Sequence, residues 1–499
     1  MKPTPPARRA PAHDARRVSQ ASEKAAFEAA LRDHQSGNLD AAIAGYRAIV
    51  DRAPHIADPW HLLGVALHQK GDSALARQLI ETAIGLNGAV ADYHSNLGMV
   101  SLALRDEAAA EQSLRHAVRL MPTHAKALAN LAGVLRGRGL FDQALDLARR
   151  AVASAPDDPE THNNLGNALK DAMRPAEAVE SYSRALVLKP DFALAHWNRA
   201  LAQLALGDYA QGFDELAWRW RWSGFPTRPR DYATPLWTGQ EIAGKTLLLY
   251  PEQGLGDAIQ FARYASFARA QGANVIVEAP GGLGPLFARS NLADRVVVPG
   301  ETVPSFDLHA PFLDLPHLFA TARDTIPDTT PYLVADPAMV PAMRARTAGR
   351  GALRVGLNWT GNPLSPVERF RHLPIAAAAP LARLSGIDWI NLQKGPGGDI
   401  VPRPAGLDLI ETGEGPLDET AALIASLDLV VSTDTAVAHL AGALAVPTWL
   451  LLHHAPDWRW QLGRTDSPWY PSMRLFRQAN PGDWAPVVGA VAEALSKRV

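Results

Sequence analysis

The amino-acid sequence predicts an all-α helical solenoid followed by an α/β region in two halves, each with a parallel sheet. A 34-residue period runs through residues 23–222, and apolar strand-like runs alternate with helical patterns in residues 238–345 and again in 346–499. Between these regions, residues 223–237 are rich in proline and arginine and break the helical period, which indicates a linker. A chain of 499 residues is long enough for about three such domains.

The repeats are marked by columns of small residues and prolines. A small residue, preceded by leucine, recurs at Gly64, Gly98, Ala132 and Gly166; alanine recurs at Ala42, Ala76, Ala110, Ala144 and Ala178, and again at Ala83, Ala117, Ala151 and Ala185; and proline recurs at Pro54, Pro122, Pro156 and Pro190. These columns resemble the tetratricopeptide (TPR) pattern, in which small residues let paired helices approach closely. Five repeats are predicted, followed by a divergent sixth that ends near Trp222. The aromatic residues of the sixth repeat predict that it docks onto the next domain.

The concave face of such a solenoid is a predicted site for a protein or peptide partner. Four asparagines fall near inward-facing positions of the first helices: Asn130, Asn163, Asn164 and Asn167. They are either hydrogen-bond partners for an extended peptide backbone or solvated helix residues, and the sequence leaves both interpretations open.

Composition excludes several function classes. The net charge of -2 gives no basic surface for nucleic acid, and the absence of cysteine excludes disulfides, a thiolate nucleophile and a cysteine metal site. No apolar run reaches the ~18 residues that a membrane-spanning helix needs. Residues 1–22 are basic and proline-rich without an apolar core, which predicts a disordered tail rather than a secretory signal. We therefore expect a cytoplasmic location.

One motif is a chance match. The segment from Gly239 to Thr246 has the G-x-x-x-x-G-K-T spacing of a nucleotide P-loop. A working P-loop follows a strand and opens a helix. Here the predicted strand, Thr246 to Tyr250, comes after the motif, so we do not assign it to nucleotide binding.

The first α/β half carries a glycine loop after its first predicted strand. Gly254 and Gly256 let the backbone approach a ligand, and Asp257 begins the predicted helix from Ala258 to Ala270. Asp257 is either a helix cap or a general base that faces the cleft. The remaining predicted elements of this half are strands at 274–278, 295–298 and 306–310 and helices at 283–290 and 315–322.

The second α/β half places polar residues after three predicted strands. The segments are Trp359-Thr-Gly361-Asn362, Gln393-Lys394-Gly395 and Ser432-Thr-Asp434-Thr435. Strands are predicted at 355–359, 389–392, 407–410, 429–431 and 449–452, and helices at 374–384 and 417–427 and from about Val437 to Leu444. Carboxyl ends of parallel strands meet at one edge, so the three segments predict a ligand crevice. His439 lies one turn into the helix that Thr435 precedes, and this helix start favours a diphosphate.

Four segments together are similar to the lipopolysaccharide heptosyltransferases. They are Glu252-Gln-Gly-Leu-Gly-Asp257, Trp359-Thr-Gly-Asn-Pro363, Leu392-Gln-Lys-Gly395 and Asp434-Thr-Ala-Val-Ala-His439-Leu-Ala-Gly442. The resemblance covers residues from about Pro235 to the C-terminus and implies a GT-B fold with two Rossmann-like halves, a nucleotide-sugar donor and a metal-independent transfer that needs no cofactor. The sequence holds no Asp-x-Asp motif, which agrees with metal independence.

The resemblance also implies roles for particular residues. Asp257 would deprotonate the acceptor, and Lys394 would neutralise the leaving diphosphate. The other predicted donor-binding residues are Gly254, Gly256, Trp359, Gly361, Asn362, Arg371, Gln393, Asp434, Thr435 and His439. TPR arrays fused to a GT-B domain also resemble the protein O-GlcNAc transferases, so the acceptor hydroxyl is expected on a protein that the repeats present.

An alternative function is a TPR scaffold whose GT-B domain has lost turnover. Heptosyltransferases usually have glycine after the Asp-Thr pair, where this chain has Ala436, and the bulky segment from Glu368 to His372 is a second departure. The sequence does not choose the sugar, the nucleotide base or the acceptor.

Overall fold

The computed structural model describes residues 12–349, 351–363, 365, 367–394, 402–404, 406–413 and 415–499. The chain divides into two units whose boundary lies between Ala168 and Leu169. This boundary falls inside a helix of the repeat region, so the last helices of that region belong to the same unit as the α/β domains.

Twelve helices form the described repeat region in six consecutive pairs. They are α1 (Ala12–Gln35), α2 (Leu39–Arg52), α3 (Ala57–Gln69), α4 (Ser73–Leu86), α5 (Ala91–Ala103), α6 (Glu107–Leu120), α7 (Ala125–Gly137), α8 (Phe141–Ser154), α9 (Pro159–Asp171), α10 (Pro175–Leu188), α11 (Ala193–Leu206) and α12 (Tyr209–Glu215). A 3₁₀ helix, Leu216–Arg221, follows α12. The six pairs correspond in number and position to the five repeats and divergent sixth that the sequence predicts.

Close packing explains the small-residue columns. A Cβ atom added to Gly64 would lie 2.7 Å from the Ile80 side chain, and one added to Gly98 would lie 2.6 Å from Leu114. Each contact joins the two helices of one pair, so any larger residue would push the pair apart. The alanine columns are fully buried for the same reason.

Part of the predicted N-terminal tail is helical. Helix α1 begins at Ala12, so the prediction of disorder is wrong for residues 12–22. Helix α1 reaches further towards the N-terminus than the first repeat does, and alanine, arginine and glutamine in residues 12–22 favour a helix there. Residues 1–11 lie outside the described residues.

The first α/β half is a four-stranded parallel sheet. Its strands are β1 (Thr246–Tyr250), β2 (Asn274–Glu278), β3 (Arg295–Val297) and β4 (Leu308–Pro311), in the order β3-β2-β1-β4. Its helices are α13 (Leu255–Phe261), α14 (Tyr264–Ala270), α15 (Gly284–Arg289) and α16 (Leu315–Leu318). The helix predicted from Ala258 to Ala270 is therefore two helices.

The second half is a six-stranded parallel sheet. Its strands are β5 (Leu353–Asn358), β6 (Ile387–Asn391), β7 (Leu409–Ile410), β8 (Leu429–Thr433), β9 (Thr448–Leu452) and β10 (Met473–Arg477), and its helices are α17 (Met339–Arg346), α18 (Glu368–Arg371), α19 (Leu417–Ala425), α20 (Ala436–Ala443) and α21 (Ala485–Ser496). The spatial order β7-β6-β5-β8-β9-β10 is the doubly wound order in which the chain reverses direction between its first and fourth strands. This reversal lies between β5 and β8, where ligands bind in such sheets.

Three sequence expectations for the second half differ from the structure. The helix predicted at 374–384 is two 3₁₀ turns, Ile375–Ala378 and Leu381–Arg383, because Pro380 cannot supply the backbone donor that a continuous helix needs. Strand β10 and helix α21 were not predicted. They complete the sheet at one edge and cover one of its faces with Val488, Val491 and Leu495.

The predicted linker lies along the first sheet. Arg230 forms an ion pair with Glu278, and Tyr232 packs against Leu248 and Tyr250 on the outer face of the sheet. The backbone of Trp237 donates to the carbonyl of His309 at 2.8 Å. The P-loop-like segment just after it, Gly239 to Lys245, is a turn that precedes β1, which confirms that the match was accidental.

Candidate active site

A cavity of about 910 Å³ lies at the carboxyl ends of strands from both sheets. Eleven of the twelve predicted site residues line it: Gly254, Gly256, Asp257, Gly361, Asn362, Arg371, Gln393, Lys394, Asp434, Thr435 and His439. They come from loops after β1, β5, β6 and β8, so the convergence of strand ends that the sequence predicted is present. Gly395, which closes one of the predicted segments, lies outside the described residues.

The twelfth residue, Trp359, is on the wrong face. Its side chain is buried with Val355 and Leu357 in the core beneath α21, and it does not line the cavity. Successive side chains of a strand alternate between the two faces of a sheet. Because Trp359 shares the parity of Val355 and Leu357, the neighbouring Asn358 faces the cavity instead.

Asn358 links three strand ends through hydrogen bonds. Its amide nitrogen donates to Gln393 Oε1 at 3.0 Å, and its Oδ1 accepts from Thr435 Oγ1 at 2.9 Å. Gln393 Oε1 also accepts from the backbone N–H of Thr360 at 3.2 Å. This network fixes the ends of β5, β6 and β8 relative to one another, and strand alternation is the one sequence pattern that points to it.

Asp257 is both a helix cap and a cavity residue. Its Oδ2 accepts from the backbone N–H of Gly254 at 3.1 Å, which caps the start of α13. Its Oδ1 accepts from Arg459. Burial raises the pKa of Asp257, and the charge of Arg459 opposes that rise. The two interpretations left open by the sequence are therefore compatible, because one carboxylate oxygen caps the helix while the other faces the cavity.

Arg459 is a site residue that sequence reasoning missed. It is buried and also donates to Asp457 Oδ1 at 2.9 Å and to Gln260 Oε1 at 2.5 Å. Arg459 lies in the short 3₁₀ helix Trp458–Trp460 after β9, whereas Gln260 and Asp257 lie in α13. A contact across 202 residues leaves no local pattern in the sequence.

The start of α20 packs against the glycine loop. A Cβ atom added to Gly256 would lie 2.9 Å from Cδ2 of His439, so only glycine fits there without a shift. The Tyr470 hydroxyl is 2.9 Å from His439 Nδ1, and burial lowers the pKa of His439 to about 4. His439 is therefore neutral at physiological pH and offers a hydrogen bond rather than a positive charge.

Asp434 and Arg371 form a charge pair at the cavity wall. Arg371 Nη2 is 3.4 Å from Asp434 Oδ2, and Arg371 Nη1 donates to the backbone carbonyl of Asp434 at 3.3 Å. Asp434 Oδ2 is buried and has no hydrogen bond of good geometry. The carboxylate thus keeps an acceptor position that a hydroxyl group of a ligand would satisfy.

Two further charged residues shape the site. Glu368 is buried, and its Oε1 accepts from the Thr360 hydroxyl at 2.8 Å and from the backbone N–H of Gly361 at 2.6 Å. It therefore holds the turn after β5, which gives the Glu368 to His372 segment a structural role. The Lys394 ammonium donates to the backbone carbonyl of Gly413.

The last repeat contributes to the same cavity. Trp197 and Leu201 of α11 line it, together with Leu216 of the following 3₁₀ helix. Arg219 anchors this part of the chain, because its fully buried guanidinium pairs with Glu252 and with Asp314 Oδ1 at 2.6 Å. The structure thus confirms that the sixth repeat docks onto the α/β region. The main contact is the buried Arg219, whereas the three tryptophans of the segment are only half-buried.

Two searches of the described part of the chain gave negative findings. None of its helices has the length and apolarity to cross a membrane. Within the same residues, no three histidine, aspartate or glutamate side chains come together as a metal-binding group would require.

Comparison with protein families gives two kinds of match. Tetratricopeptide repeat families match residues 27–94, 101–166 and 176–207. The family described as glycosyltransferase family 9 (heptosyltransferase) matches residues 412–481, which include β8, α20 and the segment that holds Arg459.

Among curated proteins, the chain is similar to Protein FlbA of Caulobacter vibrioides, with 27% identity over 90% of this chain and 85% of FlbA. The peroxisomal targeting signal receptor of Eremothecium gossypii is 38% identical over 15% of this chain and 13% of that receptor.

Among solved structures, MamA of Desulfovibrio magneticus covers 32% of this chain and 91% of its own, with 18% identity and a TM-score of 0.30. PilF of Pseudomonas aeruginosa covers 40% and 90%, with 18% identity and a TM-score of 0.36. The fold, the site and the family matches together lead to one conclusion: the chain combines tetratricopeptide repeats with a C-terminal region similar to glycosyltransferase family 9, the heptosyltransferases.

Proposed function

We propose that the protein transfers a sugar from a nucleotide-sugar to a hydroxyl group of a protein acceptor. The observation that carries the proposal is the convergence of eleven predicted residues around one cavity beside the β5–β8 switch point. Residues far apart in the chain gather there in a pattern that a purely structural role would not require.

The donor diphosphate is proposed to bind at the start of α20. Thr435 precedes this eight-residue helix, and its first two residues, Ala436 and Val437, line the cavity. A helix start favours anionic groups, and Arg371 and Lys394 add two cations. Both cations bond to protein carbonyl groups, which a diphosphate would replace as partner, and Arg371 also pairs with the Asp434 carboxylate.

Two acceptor groups suit the sugar and ribose hydroxyls. Asp434 presents a buried carboxylate oxygen without a hydrogen bond, and His439 is neutral. Neither group suits a phosphate, because a carboxylate repels it and a neutral imidazole adds no charge. The site therefore offers separate positions for the charged and uncharged parts of a donor.

Asp257 is the proposed general base. It would take the proton of the acceptor hydroxyl as the acceptor oxygen attacks the anomeric carbon and the bond from that carbon to the diphosphate breaks. The leaving diphosphate would carry the new negative charge, which Lys394, Arg371 and the start of α20 would stabilise. We propose that no metal takes part, since Asp257, Asp434 and Asp457 already pair with arginines.

The first prediction concerns Asp257. Replacing it with asparagine keeps an oxygen that can cap Gly254 but removes the base, so transfer should fall by about 10²- to 10⁴-fold. Release of nucleoside diphosphate from a nucleotide-sugar, with and without acceptor, measures the effect, and calorimetry checks that the nucleotide still binds. Asp466→Asn, at an exposed aspartate, is the matched control. Full activity of Asp257→Asn would rule out its role as base.

The scaffold without turnover remains a second candidate, and one observation favours it. Both carboxylate oxygens of Asp257 are engaged, one by Gly254 and the other by Arg459. If that ion pair persists with a nucleotide-sugar bound, the base is blocked. A protein that binds nucleotide-sugars but neither hydrolyses nor transfers them, with EDTA or with added Mg²⁺, would support the scaffold.

A further inference from the structure

The cavity lining has two chemically different sides. The side formed by the second half is mostly polar and charged, with Asn358, Gln393, Arg371 and Asp434 among its residues, although Leu417, Val437, Leu440 and Trp458 also line it. The other side comes from the last repeat and the first sheet. Its side chains are Trp197, Leu201, Leu216, Gln253, Leu255, Ile259 and Leu313. We name this second group the apolar wall.

The apolar wall is rigid. The ring of Trp197 lies 5.5 Å from that of Phe225, which is buried, and 6.4 Å from that of Trp222. Within the wall, Leu216, Ile259 and Leu313 are buried in the core, and the half-buried Trp197, Leu201 and Leu255 provide its accessible apolar surface. A wall that is already packed can bind a partner without a large loss of side-chain entropy.

The wall is also fixed to the α/β domains. Arg219 joins the 3₁₀ helix to Glu252, one residue before Gln253, and to Asp314, one residue after Leu313. In addition, Gln461 Nε2 donates to the hydroxyl of Tyr209 at 2.9 Å. The last repeat is therefore a permanent part of the site and lies beside Asp257.

We infer that the apolar wall is the acceptor subsite and that it takes a serine or threonine of a polypeptide, with a large apolar side chain next to the hydroxyl residue against Trp197 and Leu201. This inference rests on the proposed function, which supplies the donor and the base.

Hydrogen-bond chemistry distinguishes this acceptor from a sugar. Among the described residues of the wall, Gln253 is the one side chain that both donates and accepts, and Trp197 adds a single N–H. A sugar acceptor carries several hydroxyl groups, and those facing leucine and isoleucine would lose their hydrogen bonds to water without replacement. A serine or threonine carries one hydroxyl group, and Asp257 can accept the hydrogen bond that this hydroxyl donates.

The charges around the apolar wall also favour an uncharged polypeptide acceptor. The described residues of the wall include no cation, and Arg459, which also lines the cavity, already pairs with Asp257 and Asp457. A phosphorylated or otherwise anionic acceptor would therefore meet no counter-charge on this side. An uncharged segment with apolar side chains matches the wall, and its backbone can remain hydrated.

The test measures peptide binding separately from turnover. Fluorescently labelled 12-residue peptides carry one central serine, with either leucine or aspartate on both sides of it. Binding to the full chain is measured by anisotropy for the wild type and for Trp197→Ala, Trp197→Phe and Trp218→Ala. Trp218 lies in the 3₁₀ helix that supplies Leu216, but its ring stacks on that of His196 at 3.8 Å and does not line the cavity, so it is the matched control.

We expect the leucine-flanked peptide to bind at least tenfold more tightly than the aspartate-flanked one. Trp197→Ala should weaken its binding at least fivefold, Trp197→Phe should restore most of the loss, and Trp218→Ala should match the wild type. Equal affinity of Trp197→Ala and wild type, or equal affinity of the two peptides, would overturn the inference. Circular dichroism melting of each variant separates a binding defect from unfolding.

A second readout separates the two proposals. A panel of nucleotide-sugars is incubated with the protein and either the leucine-flanked peptide or a set of free monosaccharides. Sugar attached to the peptide, seen as a mass increase, supports both proposals. Transfer to a monosaccharide alone overturns the inference and keeps the proposed function. Peptide binding without consumption of any donor keeps the wall as a peptide site and contradicts the proposed function.

Discussion

Gly256 lies directly against the ring of His439, and this contact joins the glycine loop to helix α20. The ring cannot move away easily, because it is buried and lies 2.9 Å from the Tyr470 hydroxyl. The neighbouring Gly254 is different. A Cβ atom there would meet nothing nearer than Asp257 Oδ2 at 3.6 Å, and its φ of -70° is ordinary for any residue. The two glycines of the loop therefore have different physical reasons to be present.

The second prediction follows from this difference. Gly256→Ala forces a 2.9 Å contact with His439 Cδ2 and should lower the free energy of unfolding by about 1–3 kcal/mol. Gly254→Ala, the matched control, should change it by less than about 1 kcal/mol, since the added methyl group meets only open space and a carboxylate oxygen. Urea unfolding followed by tryptophan fluorescence gives both values. A larger loss for Gly254→Ala would show that the loop is packed differently.

Individual site residues could be predicted from the sequence where a single segment contains the complete pattern. The polar strand ends after β5, β6 and β8 could be read as cavity residues because parallel strands share an edge. Prediction failed for Trp359, whose side chain follows the alternation of β5 into the core, and for Asn358, which the same alternation turns towards the cavity. Arg459 was out of reach, because its partner Asp257 lies in another domain half and no spacing rule connects them.

The 3₁₀ helix Leu216–Arg221 is the element that ties the repeats to the α/β domains. It contains a fully buried arginine, Arg219, facing two carboxylates, and an exposed one, Arg221, over the ring of Trp218. Burial raises the pKa of Glu252 to about 7, and the charge of Arg219 opposes that rise. The guanidinium thus limits the rise of the pKa of Glu252, which stays near neutral next to the glycine loop.

The third prediction tests this anchor. Arg219→Leu leaves two carboxylates without their counter-charge and should lower the free energy of unfolding by about 3–5 kcal/mol. Arg221→Leu, in the same helix, should cost less than about 1 kcal/mol, the range of an exposed cation–π contact. Adding Glu252→Gln to Arg219→Leu should recover part of the loss, because it removes one unpaired charge. Chemical unfolding of the full chain is the measurement, and equal effects of the two arginine variants would contradict the anchor.

Element boundaries were predictable where burial is continuous. Strands β1 and β2 were predicted with the bounds that the structure has, since each is an apolar run with a turn at both ends. The segment 374–384 looked helical from its alanines, but its prolines limit it to 3₁₀ turns. Strand β10 and helix α21 were not predicted. Arginines interrupt the apolar residues of β10, and these residues are recognisable as a strand only when β9 lies beside them.

At the scale of the whole molecule, the unit from Leu169 to Val499 carries two buried histidines beside the site. Burial lowers the pKa of His439 and of His453 to about 4 each. The charges around them are mixed: Asp434 and Asp457 face both, Arg459 and Arg263 face His439, and Arg371 faces His453. Both histidines are neutral in the folded protein well below the pH at which an unfolded chain would protonate them.

The fourth prediction is a pH dependence of stability. Each histidine has a lower pKa folded than unfolded, so the unfolded state binds more protons between pH ~6.5 and ~4. The free energy of unfolding that the two neutral histidines contribute is fully present above pH ~6.5 and is lost as the pH falls towards ~4. The double variant His439→Gln and His453→Gln should lose less stability over this range than the wild type does. His317→Gln, at an exposed histidine, should follow the wild-type curve in urea unfolding at pH 7, 6, 5 and 4.5.

The domain organisation was largely predictable, because a 34-residue period and an alternation of strands and helices are long-range patterns within one sequence. The boundary between the two units was not, since it falls inside α9 and not at the predicted linker. The linker residues lack helical or strand periodicity, yet Arg230, Tyr232 and Trp237 fix them to the first sheet by contacts that only the folded chain brings together.

The most direct test of the central claim is a thermal-shift measurement of the full chain against nucleoside diphosphates and nucleotide-sugars, with Lys394→Ala alongside. A donor at 100 times its dissociation constant stabilises the folded state by about 2.7 kcal/mol, which raises Tm by roughly 2–4 °C for a unit of this size. We predict a rise of this size for one class of nucleotide, and a smaller rise for Lys394→Ala. No shift with any nucleotide, or the same shift for wild type and Lys394→Ala, would contradict the assignment of the cavity as a donor site.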